Sequence, residues 1–116
     1  MKINILKSKI HRATVTDANL DYIGSITLDE ILMEKASLYE YEKVHILNIS
    51  NGSRLETYVI KGAPNSGEVC INGAAAHLVS KGDLVIIAGY CSLDVSNINE
   101  FQPSIVHVDK NNTIIP

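Results

Sequence analysis

Apolar and polar residues alternate in short runs along most of the chain, the two-residue period of half-buried strands. The pattern predicts strands over residues 3–6, 10–16, 44–49, 55–60, 68–71, 84–90 and 105–108. Residues 84–90 (LVIIAGY) form the most continuous apolar run, which predicts a central strand covered on both faces. One stretch has helical character instead. Ile31, Leu32, Met33, Ala36 and Leu38 follow Thr27 and Glu30 at capping-box spacing, which predicts a helix ending near residue 38. Asn51-Gly52 lies between two β-rich runs and predicts a hairpin with a type I′ turn. Residues 63–67 read as a loop and 81–83 as a turn. Asn72-Gly73 reads as a turn into a single helical turn, and the end of the chain as a frayed tail. Many short strands with so little helix imply a mainly β chain, a small closed barrel with one or two short helices. Closure removes the exposed sheet edges that invite aggregation.

Composition narrows the function. A chain of 116 residues with 46% hydrophobic and 20% charged residues is expected to form one domain, 1–116. A net charge of −3 gives no electrostatic case for nucleic acid. Lys2, Lys7, Lys9 and Arg12 crowd the N-terminus and read, by themselves, as a solvated basic edge. The apolar runs fall short of a membrane span, and the N-terminus is too charged for a signal peptide. Cys70 and Cys91 are far apart and read as buried, free thiols of a reducing compartment, so the chain reads as cytoplasmic. His11, His45, His77 and His107 show no metal-ligand spacing, so no metal is expected.

No single motif decides the chemistry. Gly24-Ser25 reads first as a loop, yet the pair can react with itself. The serine hydroxyl can attack the preceding glycine carbonyl if the fold holds the two in near-attack geometry. The resulting ester can break by β-elimination, leaving dehydroalanine and then a pyruvoyl group.

The surroundings give this dipeptide its meaning. HRATVTDANLDYIGS, then NGSRLETY, then NGAAAH, in that order and spacing, resemble the pyruvoyl-dependent aspartate decarboxylases over nearly all of residues 1–110. The resemblance implies a double-psi barrel, a homotetramer with active sites between subunits, and self-cleavage between Gly24 and Ser25 into chains 1–24 and 25–116. It implies that Ser25 becomes the pyruvoyl cofactor and that no other organic cofactor is bound. The substrate implied is L-aspartate, converted to β-alanine and carbon dioxide. Tyr58 matches the proton donor, and Arg54 and Lys9 the cations facing the substrate's negative charge. Thr57 matches the hydroxyl beside the cleavage site, which later contacts substrate, and Gly73, Ala74 and Ala75 the substrate-binding turn. Asn72 would pin that turn, while His11 and Tyr22 would support the pocket and the cleavage loop. Ile23 stands where members often carry Glu, a departure that bears on the speed of maturation. The need for a maturation factor stays open. Two other readings remain: a non-catalytic barrel that binds a partner, and the same chemistry on another acidic amino acid such as glutamate.

Overall fold

The computed structural model describes residues 1–22 and 24–116. Ile23, read above as affecting maturation, lies outside them. The two predicted N-terminal strands are one, β1 (Lys2–Thr14). It stays paired to its neighbour through register shifts between Leu6 and Ser8 and between Ile10 and Ala13. Such irregularities absorb extra residues and bend a strand without ending it. β2 (Asp17–Asn19), in a stretch where alternation predicted no strand, pairs in parallel with β6 (Val69–Asn72). β3 (Ser25–Asp29) lies antiparallel to β6 and parallel to β5 (Arg54–Gly62). β4 (Lys43–Asn48) joins β5 to β7 (Leu84–Asp94), which pairs with β1 on its other side. β8 (Ser104–His107) adds to β1 in parallel. The central position expected for residues 84–90 is therefore observed.

The sheet order is β2-β6-β3-β5-β4-β7-β1-β8. Only Val15 and Thr16 separate β1 from β2. The Val15 amide donates to the Asp83 carbonyl (2.9 Å), beside β7, and the Thr16 amide to the Val69 carbonyl (2.8 Å), on β6. The hydrogen bonding thus passes along one stretch of chain from β7 to β6. Inside lie the side chains that alternation assigns to one face: Ile10, Ile26, Leu28, Val44, Ile46, Val59, Val69, Ile71, Val85 and Ile87 are all fully buried. The mainly β class with little helix is as expected.

Three local expectations are corrected. Thr27 does not cap the helix, because it is held in β3 by pairing with Cys70. The cap of α1 (Glu30–Ala36) is Asp29, whose Oδ1 accepts from the Ile31 amide at 2.8 Å. The helix stops at Ala36 because Ser37 turns left-handed (φ 58°) and its amide and that of Leu38 cap the last carbonyls. The β4–β5 connection is not a two-residue I′ turn: of Asn51 and Gly52 only Gly52 has positive φ (80°). The Asn48 side chain takes the Ser50 amide and the Ile49 amide goes to the Leu84 carbonyl, so both residues leave the hairpin ladder. The C-terminal tail is not frayed. Asn112, 4% exposed, accepts from the Thr14 amide and donates to the carbonyls of Thr14 and Gly67, each at 2.8 Å. A further 3-10 segment, Val95–Glu100, had no signal in the alternation.

Asp29 also holds the 63–67 loop, accepting from the amides of Asn65 (3.1 Å) and Gly67 (2.8 Å). It is 3% exposed, so removing its carboxylate strands three donors with little water to replace it. Asp29→Ala is expected to lower stability by about 3 kcal/mol, a sum of a lost cap and lost charge-assisted bonds. Denaturant titration at fixed protein concentration measures this, and a change under about 0.5 kcal/mol would contradict the role given to Asp29.

Candidate active site

Alternation decides which side chains can meet. On β3, Ile26 and Leu28 point into the core, so Ser25 and Thr27 share the outer face. On β6, Val69 and Ile71 point inward, so Cys70 and Asn72 share it too. The antiparallel register sets Ser25 opposite Asn72 and Thr27 opposite Cys70. Asn72 Nδ2 donates to both Ser25 Oγ (3.1 Å) and Thr27 Oγ1 (3.0 Å).

Ser25 is 1% exposed and has φ 117°. A non-glycine residue in that region stores strain, on the order of 1–3 kcal/mol. The strain therefore sits on the serine of the Gly24-Ser25 pair. A Cβ on Gly24 would meet nothing within 4 Å. The constrained glycine is Gly73, with φ +68°. A Cβ on it would lie 2.7 Å from the Cα and N of Gly24 and 2.9 Å from the carbonyl oxygen of Tyr22. The turn after β6 thus packs its bare backbone against the cleavage loop.

β5 supplies the next residues. It lies parallel to β3 with Ile26 level with Val59. Continuing that register one residue back sets Ser25 level with Tyr58, and one more sets Gly24 level with Thr57. Tyr58 lies on the outer face with Ser25, since Val59 is core, while Thr57 faces the barrel side beside Val44. Both are half-buried. Arg54 is exposed on the same outer face as Tyr58, four positions and so about 13 Å along the strand. The 3-10 turn Gly73–His77 follows β6, with Ala74 exposed and Ala75 packed against the core. The helical turn expected over these residues is observed.

Like Arg54 at that separation, two further predicted residues are not brought to Ser25 by this chain. Lys9 lies in a row of paired positions, Lys9–Ala88–His45–Glu56, that crosses β1, β7, β4 and β5. It shares the outer face with Tyr58 but stands three strand spacings, about 14 Å, from β5. His11, two residues on, faces the same way. Its ring meets His107 edge-on at 5.5 Å, and its Nδ1 is buried without a partner. Burial first, then Lys9, the neighbouring His107 ring and Arg12, hold its pKa below the ordinary histidine value. The Tyr22 side chain is exposed, and it is the residue's carbonyl that faces Gly73.

Sequence reading missed Thr27 and Cys70. Both had a signal: Ser-x-Thr at 25–27 and Cys-x-Asn at 70–72 each put two polar residues on one strand face. Cys70, expected to be buried and inert, is half-buried and hydrogen-bonded, and Cys91 is half-buried. Among the described residues, no cluster of His, Cys, Asp or Glu is arranged to hold a metal, and no helix is long and apolar enough to cross a membrane.

Comparison with known proteins points the same way as this geometry. An aspartate 1-decarboxylase of Clostridium botulinum (strain Loch Maree / Type A3) is 59% identical over 114 residues, covering 98% of this chain and 90% of its own. One of Caldicellulosiruptor saccharolyticus is 60% identical over 115 residues, covering 99% and 90%. One of Acetivibrio thermocellus is 57% identical, covering 99% and 91%. Among solved structures, a computationally designed protein, msDPBB_sym2, aligns with 73% of this chain and 96% of its own at a TM-score of 0.45 and 19% identity, too distant to bear on the architecture. The family model described as aspartate decarboxylase matches residues 1–115, and the chain belongs to that family.

Proposed function

We propose that this chain decarboxylates L-aspartate to β-alanine and carbon dioxide, using a pyruvoyl group made from its own Ser25. The observation that carries the reading is Ser25 itself: buried, strained at φ 117°, following Gly24, with its hydroxyl held by Asn72.

Maturation begins when Ser25 Oγ bonds to the Gly24 carbonyl carbon. The Gly24–Ser25 C–N bond breaks, the nitrogen takes the hydroxyl proton, and the peptide becomes an ester. Thr57, level with Gly24, is suited to donate to the oxyanion. Loss of the Ser25 Cα proton then forms a Cα=Cβ double bond and expels Gly24 as a carboxylate. Water replaces the freed nitrogen, which leaves as ammonia, so chain 25–116 starts with a ketone. No oxidant enters. The residues fit such a group: a Cβ at Gly24 meets open space, and the bare backbone of Gly73 lies close against Gly24 and the Tyr22 carbonyl.

Once formed at position 25, between Asn72, Tyr58 and the Gly73 turn, the pyruvoyl group would supply an electrophile for the substrate amine and an electron sink for decarboxylation. Tyr58, on the same face as Ser25, returns a proton to the α-carbon. Arg54 offers a planar fork to the β-carboxylate, the group that separates aspartate from neutral amino acids. The amides of Gly73, Ala74 and Ala75 face the substrate, and Asn72 keeps their turn against the cleavage loop. Tyr22 and His11 line the approach. Lys9 and His11, three strands away within one chain, reach the site from a neighbouring copy in a homotetramer. That arrangement would also cover the exposed Tyr22 and Leu20. The barrel is of the double-psi type, and the enzyme works in the cytoplasm, where Cys70 and Cys91 stay reduced.

Intact mass and product analysis test this together. Two fragments, 1–24 and 25–116 with a pyruvoyl start, are expected, with β-alanine formed from aspartate much faster than γ-aminobutyrate from glutamate. One extra methylene is a modest discriminator, about 1–3 kcal/mol, so a weak glutamate activity is compatible with the reading. An uncleaved chain that releases no carbon dioxide from aspartate would instead mark a binding module.

A further inference from the structure

The Asn72 side chain is 2% exposed and sits at the centre of a small polar network. Its Nδ2 faces Ser25 and Thr27, and its Oδ1 accepts from Cys70 Sγ at 3.3 Å. An amide side chain keeps its shape when turned by half a revolution, so its neighbours decide which end points where. Ser25 and Thr27 cannot decide, because a hydroxyl either donates or accepts. Cys70 can: a thiol S–H donates to an amide oxygen, whereas its sulfur is a poor acceptor for an amide N–H. The thiol is kept in its protonated, donating form by burial first. The negative charges of Asp17, directly across the β2–β6 pair, and of Glu68 act in the same direction and push its pKa up.

The orientation matters for Ser25. With the NH2 end towards it, Ser25 Oγ accepts a hydrogen bond and keeps its own hydrogen free to be given up. With the amide reversed, Ser25 would donate that hydrogen to Asn72 Oδ1 and tie up the proton that must move to the amide nitrogen. We propose that Cys70 is a positioning residue for self-cleavage, its thiol fixing the Asn72 amide so that the Ser25 hydroxyl accepts from it. The proposal rests on the reading that Ser25 attacks Gly24.

The test follows conversion of freshly expressed precursor to fragments by intact mass, for the native chain, Cys70→Val and Cys70→Ser. Valine keeps the bulk and removes the donor, whereas serine, like Ser25 and Thr27, can donate or accept and so cannot fix the amide. One net hydrogen bond sets a preference of about tenfold between the two amide orientations. Without it the two are about equally populated, so Cys70→Val and Cys70→Ser are each expected to mature about twofold more slowly. Melting of the same substitutions in a Ser25→Ala background separates rate from stability, because every chain there stays whole. A Cys70→Val chain that matures at the native rate overturns the proposal alone. So does a Cys70→Ser chain that matures at the native rate, the result a purely packing role predicts for so close a replacement. A native chain that never cleaves overturns this proposal and the Ser25 reading together.

Discussion

Ser25→Ala is expected to remain a single chain of 116 residues and to form no β-alanine. The substitution removes one oxygen from a position that is 1% exposed and otherwise keeps its volume. Asn72 loses one of its two hydroxyl partners and retains Thr27 and Cys70. The fold should therefore survive with a change of about 1 kcal/mol, the net value of one hydrogen bond. Chemistry and stability separate cleanly here: circular dichroism and melting stay close to the native precursor while cleavage vanishes. Ser25→Gly offers a second handle. It also lacks the nucleophile, but glycine tolerates φ 117°, so it should melt above Ser25→Ala by an amount reflecting the released strain. Cleavage of either variant at position 24 would remove Ser25 from the proposed mechanism.

Gly73→Ala is expected to damage maturation more than any other single methyl group in the chain. Its Cβ would stand 2.7 Å from Gly24 Cα and N, and both are backbone atoms that cannot rotate aside. The left-handed φ of +68° adds about 1–2 kcal/mol for any side chain. The easiest relief is displacement of Tyr22 and Gly24, on which the attack geometry depends. Small misplacements of reacting atoms are costly: about 1 Å can cost on the order of a hundredfold in rate. A slowing of that order, read from intact-mass time courses, is the expected result. Gly24→Ala is the control, since its Cβ would meet nothing within 4 Å and should leave stability near native. Native-rate maturation of Gly73→Ala would show that this close approach does not shape the cleavage loop.

The mainly β fold was legible because its core obeys the two-residue period almost without exception. Val44 and Ile46, or Ile26 and Leu28, announce both strand and inward face. What alternation could not show were places where a polar side chain redirects the backbone. Asn48 draws Ser50 out of the β4–β5 hairpin, and Asp29 rather than Thr27 starts the helix because pairing holds Thr27 in β3. Asn112 pins a tail whose sequence looks like coil. The site was legible in a different way. Ser25, Tyr58, Thr57, Asn72 and Gly73 were picked out through resemblance to a family, and strand register sets Ser25, Tyr58 and Asn72 on one face with Thr57 on the other. Lys9 shows the limit of single-chain reading. It lies on the right face but three strands away, a distance no property of its own segment reveals.

The place of β1 in the ladder has a consequence for the matured protein. β1 would belong to fragment 1–24, while β7 and β8, which flank it, and Asn112, which clamps its last residue, would belong to fragment 25–116. Breaking the Gly24–Ser25 bond would not free the small piece, because a thirteen-residue strand stays paired on both edges. The processed barrel would then be a split protein reassembled in place. Once fully unfolded it could re-form only if two separate chains met again, so its refolding would be second order, whereas that of the precursor is not. Cleavage would leave the native state intact and remove the way back to it.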